Sequence, residues 1–243
     1  MPNDVRGYIE MTDVSKEFGH KRVLDTINLS ICKGQVVGFI GPNGSGKTTM
    51  LKLLAGIYRP STGDVRVDGQ RTTGRPINCG LMLENPPFVD SLSGIDNLRY
   101  IDRISAHRSL IDVAEHMLYV GLDPQNRLPV RKYSLGMRQR LALAQAIMGS
   151  PSLLLLDEPA NGLDPAAIVD FRTMITEQAE KGTTVIMLTH QLPEAEKICD
   201  KFFIIFATHV TELSDEMLQQ RSLEEAYLTY TNQSVDGIKN AVG

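Results

Sequence analysis

The stretch QVVGFIGPNGSGKTTMLKLLAG, residues 35–56, carries the decision about the fold. QVVGFI is a continuous apolar run, the pattern of a strand buried on both faces of a sheet. KTTMLKLLAG follows with apolar positions three and four apart, a helix that Gly56 is placed to end. Between them, GPNGSGKT fits Gly, four residues, Gly, Lys, Ser or Thr, and a strand before and a helix after are the context that pattern needs. Gly41, Gly44 and Gly46 permit positive φ and close backbone approach. With Pro42, Asn43 and Ser45 completing the loop, successive amide N–H groups can converge on an anion. The new helix aims its free N–H groups and positive dipole end at the same point. Lys47 can neutralise β- and γ-phosphates, the Thr48 hydroxyl can ligate Mg²⁺, and Thr49 adds a phosphate contact. The expectation is a site for ATP and Mg²⁺ at residues 41–49.

Working outward, the first 75 residues read as strand-rich. VRGYIEM, LDTINLSIC and GDVRVDG alternate apolar and polar positions, as half-buried antiparallel strands do. Residues 90–150 change character. DNLRYIDRI, SLIDVAEHMLYVGL and SLGMRQRLALAQAIMGS carry helical periodicity, which predicts a mainly helical subdomain inserted into an α/β body. The strand–helix alternation then resumes with SLLLLDEP, a helix near 165–181, TTVIMLTH, a helix near 193–199, and KFFIIFA. Such alternation predicts a largely parallel sheet with helices packed on it. The polar residues from Asn232 onward read as a loose tail.

Composition sets the outer bounds. The 243 residues suit one large domain, or one with an inserted subdomain. A net charge of −4 offers no basic surplus for a phosphate backbone, so no nucleic acid is expected as partner. Cys32, Cys79 and Cys199 have no paired spacing, which fits a reducing cytosol better than a zinc site or a disulfide framework. The N-terminal stretch lacks the pattern of a signal peptide. Apolar runs such as 153–156 and 202–207 are far too short to span a bilayer. Any membrane work would use spanning helices of another chain.

The second half of a phosphate site should be an acid at the end of a neighbouring buried strand, and SLLLLDEP (152–159) supplies two. Asp157 would hold Mg²⁺ through water. Glu158 would act as general base on the attacking water. Alone, an acidic pair ending an apolar strand more often caps a helix or ends the strand; the loop upstream favours the catalytic reading. His190 ends TTVIMLTH at the same edge of a parallel sheet, where ligands are expected. From there it could reach the γ-phosphate and fix the water.

At this point the sequence resembles the nucleotide-binding subunits of ATP-binding-cassette (ABC) transporters, over roughly residues 7–231 and with the motifs in the family's order. YSLGMRQRLALAQAI (133–147) is similar to the family signature, whose Ser and Gly sit at a helix start and cap the γ-phosphate of ATP bound mainly by the other subunit. The resemblance therefore implies nucleotide contacts from Ser134 and Gly136. NGLDP (161–165) matches the D-loop and implies that Asp164 lies across a dimer interface. Phe18, in SKEFG, stands where the family places an adenine-stacking aromatic; Tyr8, or a core role for Phe18, are alternatives. Two positions depart from the pattern. The usual Ser-Gly-Gly-Gln reads Ser134-Leu135-Gly136-Met137, and the Q-loop glutamine reads Glu84, a further candidate for Mg²⁺. Both departures, and the tail SLEEAYLTYT (222–231), resemble exporters of bacitracin, lantibiotics and other peptides or amphiphiles.

The resemblance implies a P-loop NTPase fold in a single domain over 1–231, with the helical subdomain at about 90–150 inserted and a polar C-terminal tail at 232–243. It implies a cytoplasmic ATPase subunit, peripheral at the inner face of the cell membrane, that homodimerises head to tail around two ATP molecules. The implied partner is a separate transmembrane permease subunit, a short helix of which the helical subdomain and the 84–100 segment, with exposed Pro86, Pro87 and Phe88, would receive. The rival readings are a non-transport ATPase of the same fold, an importer subunit, a non-hydrolysing regulatory module and a P-loop kinase. A kinase would leave YSLGMRQRL unexplained.

Overall fold

The computed structural model describes residues 7–73, 77–104 and 112–242, the last ten of these by backbone alone. The first residues of VRGYIEM and of SLIDVAEHMLYVGL lie outside the described residues. Strands β1 (Ile9–Phe18) and β2 (Lys21–Ile31) form an antiparallel hairpin. Strand β3 (Val36–Ile40) and helix α1 (Lys47–Leu54) follow, then β4 (Thr62–Val67), β5 (Gln70–Arg71) and β6 (Cys79–Met82). Helices α2 (Gly94–Ile104), α3 (Val113–Tyr119) and α4 (Leu135–Ile147) come next. The chain closes with β7 (Leu153–Asp157), α5 (Pro165–Glu180), β8 (Thr184–Thr189), α6 (Leu192–Ala195), β9 (Lys201–Phe206), β10 (His209–Glu212), α7 (Asp215–Gln220) and α8 (Leu223–Val242).

Two sheets result. An antiparallel one runs β2-β1-β4-β5, and a six-stranded one runs β10-β9-β3-β8-β7-β6, parallel except where β10 returns along β9. The apolar runs of β3, β7 and β8 are buried at every position. Because side chains alternate along a strand, each of them feeds two cores. Val37, Phe39, Leu153, Leu155, Ile186 and Leu188 join α1 and the antiparallel sheet. Ile40, Leu154, Leu156, Val185 and Met187 face the other way, into the core shared with α2 to α5. A buried leucine on either side contributes on the order of 1.5–3 kcal/mol, so the middle of this sheet is a stiff base for what its ends carry.

The expected antiparallel and parallel parts are both present. Three expectations need correction. Helix α6 spans four residues rather than about 193–199. Helix α8 continues through the stretch read as a loose polar tail, to Val242. Its first turn is anchored by buried Leu223 and Ala226, and the Leu223 N–H donates to the Glu196 carboxylate at 2.9 Å. Pro86 and Phe88, expected to be exposed along with Pro87, are half-buried, Phe88 against the core of α2 to α5. No described helix is long and apolar enough to cross a membrane.

Candidate active site

Strands β3, β7 and β8 run in the same direction, so Gly41, Asp157 and His190 all emerge at one edge of the sheet. The 41–49 loop turns there, with Gly44 and Gly46 at φ of +79° and +106°. Gly41 is required by closeness: a Cβ on it would run into the Ile205 carbonyl and lie 2.8 Å from Ser45 Oγ. The Lys47 ammonium folds back over the loop, donating to the carbonyls of Gly41 at 2.7 Å and Pro42 at 3.3 Å. The Ser45 hydroxyl oxygen is buried and has no hydrogen-bond partner among the described residues. A buried polar atom without a partner costs about 1–3 kcal/mol, and here it sits in a loop built to receive an anion.

Across from the loop, the Thr48 hydroxyl donates to Asp157 Oδ2 at 2.9 Å. Glu158 Oε1 lies 3.6 Å from Lys47 Nζ, both side chains being 7% exposed. Glu158 Oε2 is 2.8 Å from His190 Nδ1 and accepts the His190 backbone N–H at 3.3 Å. Glu158 itself adopts φ +50°. Such a conformation costs a non-glycine residue on the order of 1–3 kcal/mol and persists only when its surroundings hold it. Here the Glu158 N–H donates to Leu188 O at 2.9 Å, and the Asn161 N–H donates to Glu158 O at 3.2 Å. The Gln191 side-chain amide then bonds Asn161 Oδ1 at 2.9 Å, tying the turn after β7 to the turn after β8.

These groups line one cavity of about 370 Å³: Asn43, Gly44, Gly46, Lys47, Thr48, Thr49, Glu84, Asp157, Glu158 and His190, with Val23 at its edge. Burial pushes the Asp157 carboxyl above its ordinary value. The Thr48 hydrogen bond opposes that, Glu158 and Glu84 add to it, and Lys47 opposes it weakly. Thr48, Asp157 and Glu84 present oxygen donors only, the chemistry a hard divalent cation takes. The residues present therefore fit a magnesium nucleotide.

Other predicted residues lie elsewhere. Phe18 is exposed and does not line the cavity; its ring packs edge-on against Tyr58, with centroids 5.3 Å apart, and Lys16 Nζ stands 4.8 Å from its centre. Tyr8 is buried and donates to Ser152 Oγ at 2.9 Å, beside the starts of the parallel strands and away from the loop, which removes it as the adenine aromatic. A wider cleft of about 700 Å³ lies at that far edge and contains none of the predicted site residues. Ser134 caps α4, its Oγ accepting the Met137 N–H at 3.2 Å, and Asp164 caps α5, its Oδ1 accepting the Ala167 N–H at 2.8 Å. Neither they nor Gly136 line the cavity of their own chain. The Asn161–Gln191 bond was not anticipated; the polar Asn161 that opens NGLDP and Gln191 beside His190 were its only signal.

A Gly-rich loop between a buried parallel strand and a helix, facing paired acids at the end of β7, one strand beyond β8 rather than beside β3 as expected, defines a P-loop nucleotide hydrolase. A family profile described as "ABC transporter" matches residues 24–161. The chain belongs to that family, as an ATP-binding cassette ATPase. Among its relatives, the Bacillus subtilis "Uncharacterized ABC transporter ATP-binding protein YdbJ" is 41% identical over 204 residues, covering 81% of this chain and 66% of that protein. The Streptococcus pyogenes "Lantibiotic transport ATP-binding protein SrtF" is 33% identical over 225 residues, covering 90% of this chain and 95% of its own. A solved "ATP binding subunit of ABC transporter" superposes with TM-score 0.77 at 28% identity, covering 91% of this chain and 98% of that one.

Proposed function

We propose that this chain is the ATPase subunit of an exporter of peptide-like or amphiphilic substrates, working at the inner face of the cell membrane through a separate permease chain. The arrangement of Lys47, Thr48, Asp157, Glu158 and His190 in one cavity carries the ATPase part of the reading. The export part rests on Glu84, the SLGM signature, the SLEEAYLTYT tail and similarity to a protein named for lantibiotic transport.

The 41–49 loop and Lys47 hold the phosphates. Thr48 and Asp157, with Glu84 at the rim, would hold Mg²⁺, which supplies further neutralisation of phosphate charge. Glu158 takes a proton from water as the water oxygen bonds to the γ-phosphorus and the bond to the ADP oxygen breaks. His190 donates to Glu158 through Nδ1–H and keeps that carboxylate aimed. Two copies face each other about a two-fold axis, each giving Ser134, Gly136 and Asp164 to the other's nucleotide, with Phe18 against adenine. ATP favours the closed pair and hydrolysis releases it. The segment from Glu84 to Tyr100 passes that change to the permease.

The test is purification of the tagged chain from detergent-solubilised membranes of its host, with ATP turnover assayed on the eluate. A stoichiometric multi-span membrane chain in an ATP-hydrolysing complex is expected. Recovery in a soluble complex with ribosomes or DNA overturns the transport reading.

A further inference from the structure

Leu135 is more than half exposed at the start of α4, where the resemblance leads one to expect glycine. Its side chain nevertheless has a specific seat. Gly162, at φ +74°, presents its bare α-carbon to Leu135, and a Cβ there would fall inside the van der Waals shells of Leu135 Cγ and Cδ2. The next signature residue makes a second approach to the same turn: a Cβ on Gly136 would lie 3.4 Å from Gly162 O and 3.9 Å from Leu163 Cδ2. The turn is itself fixed to the hydrolytic residues, because Asn161 N–H bonds Glu158 O and Asn161 Oδ1 accepts from Gln191, the neighbour of His190. On the other side, Leu135 is covalently next to Ser134, whose Oγ caps α4.

We infer that Leu135 is a positioning residue: seated on Gly162, it sets the spacing between the capped start of α4, Ser134–Gly136, and the turn that carries Glu158. This rests on the dimeric ATPase reading above, in which the start of α4 serves the partner's nucleotide and Glu158 serves the chain's own. The leucine side chain packs on its own chain's 158–164 turn while more than half of its surface stays exposed. It replaces the freedom of a glycine with a packed contact, so the two groups that must meet two different nucleotides move as one piece.

The experiment compares Leu135→Ala and Leu135→Met with the parent full-length chain. It measures kcat and KM for ATP, affinity for a fluorescent ATP analogue, and the thermal midpoint. Leu135→Ala should lower kcat about tenfold, short of the roughly 100-fold that a misplacement of ~1 Å can cost. Analogue affinity and thermal midpoint should stay at parent values, and Leu135→Met should restore kcat, since it refills the seat. Two results overturn the inference: a kcat for Leu135→Ala within twofold of the parent, or a fall in kcat matched by a fall in midpoint and not restored by methionine. Failure of the underlying reading is distinguishable, since the parent itself would then bind the analogue without turning over ATP.

Discussion

Glu158 Oε2 holds both the ring Nδ1 and the backbone N–H of His190, at 2.8 and 3.3 Å, while Oε1 of the same carboxylate faces Lys47 at 3.6 Å. The carboxylate is thus gripped from two sides. Its backbone is in the left-handed region, which turns the side chain off the end of β7 and into the cavity. With a carboxylate as acceptor, the imidazole carries its proton on Nδ1 and leaves Nε2 directed away from the pair.

Glu158→Gln keeps shape and the hydrogen bond from His190 but removes the basic oxygen. Turnover should fall by at least ~100-fold, the lower range for a general base. Affinity for a fluorescent ATP analogue should stay within about twofold, since the phosphate-facing amides and Lys47 are untouched. Unchanged turnover would remove Glu158 from the chemistry.

His190→Ala removes the ring contact at 2.8 Å and leaves the Glu158 carboxylate held only by the backbone N–H of residue 190 and by Lys47. A drop in kcat on the order of 100-fold is expected, with little change in KM, because the lost interaction orients the base rather than binding substrate. A rise in KM at unchanged kcat would instead assign His190 to nucleotide binding.

Asp157 offers a stability test. Its folded-state pKa lies above the ordinary value, chiefly through burial. The folded chain therefore holds this proton more tightly than the unfolded chain. Stability falls as pH rises from the ordinary carboxylate value through the raised one, and above both the charged group costs stability in full. Asp157→Asn removes that charge and keeps an oxygen to accept from Thr48. At neutral pH without nucleotide it should raise the thermal midpoint, while abolishing turnover. A lowered midpoint would mean that the Thr48 and Lys47 contacts outweigh burial.

What could be read from the sequence is what local pattern encodes. GPNGSGKT announces a phosphate loop because few other arrangements need those glycines beside Lys47. Asp157 and His190 could be assigned to one edge because the four-residue apolar runs LLLL and VIML imply parallel strands that end together. Features resting on tertiary closeness could not be read. Nothing in DEP marks Glu158 as left-handed, and nothing in SLGM shows that Leu135 meets Gly162, 27 positions away. Burial of Tyr8 against Ser152 is of the same kind, as is the short edge strand β6, whose four residues give too little alternation to detect. The α8 helix outran the expected tail because side-chain polarity was taken for lack of structure.

Ser134→Ala separates the capping role from the proposed nucleotide role. Loss of an N-cap costs ~1 kcal/mol, a shift of a few degrees in thermal midpoint. If Ser134 also meets the partner's nucleotide, turnover should fall by more than tenfold, well beyond what that destabilisation explains, with monomer affinity for the ATP analogue unchanged. Normal hydrolysis by a dimer lacking Ser134 would remove the composite site.

The nucleotide-gated clamp is tested most directly by the solution mass of Glu158→Gln, measured by light scattering with saturating Mg²⁺-ATP and again with Mg²⁺-ADP. The chain is 26.9 kDa. A mass of twice that value with ATP, returning to the single-chain value with ADP, is the expected result. A single-chain mass with ATP demonstrably bound would contradict it.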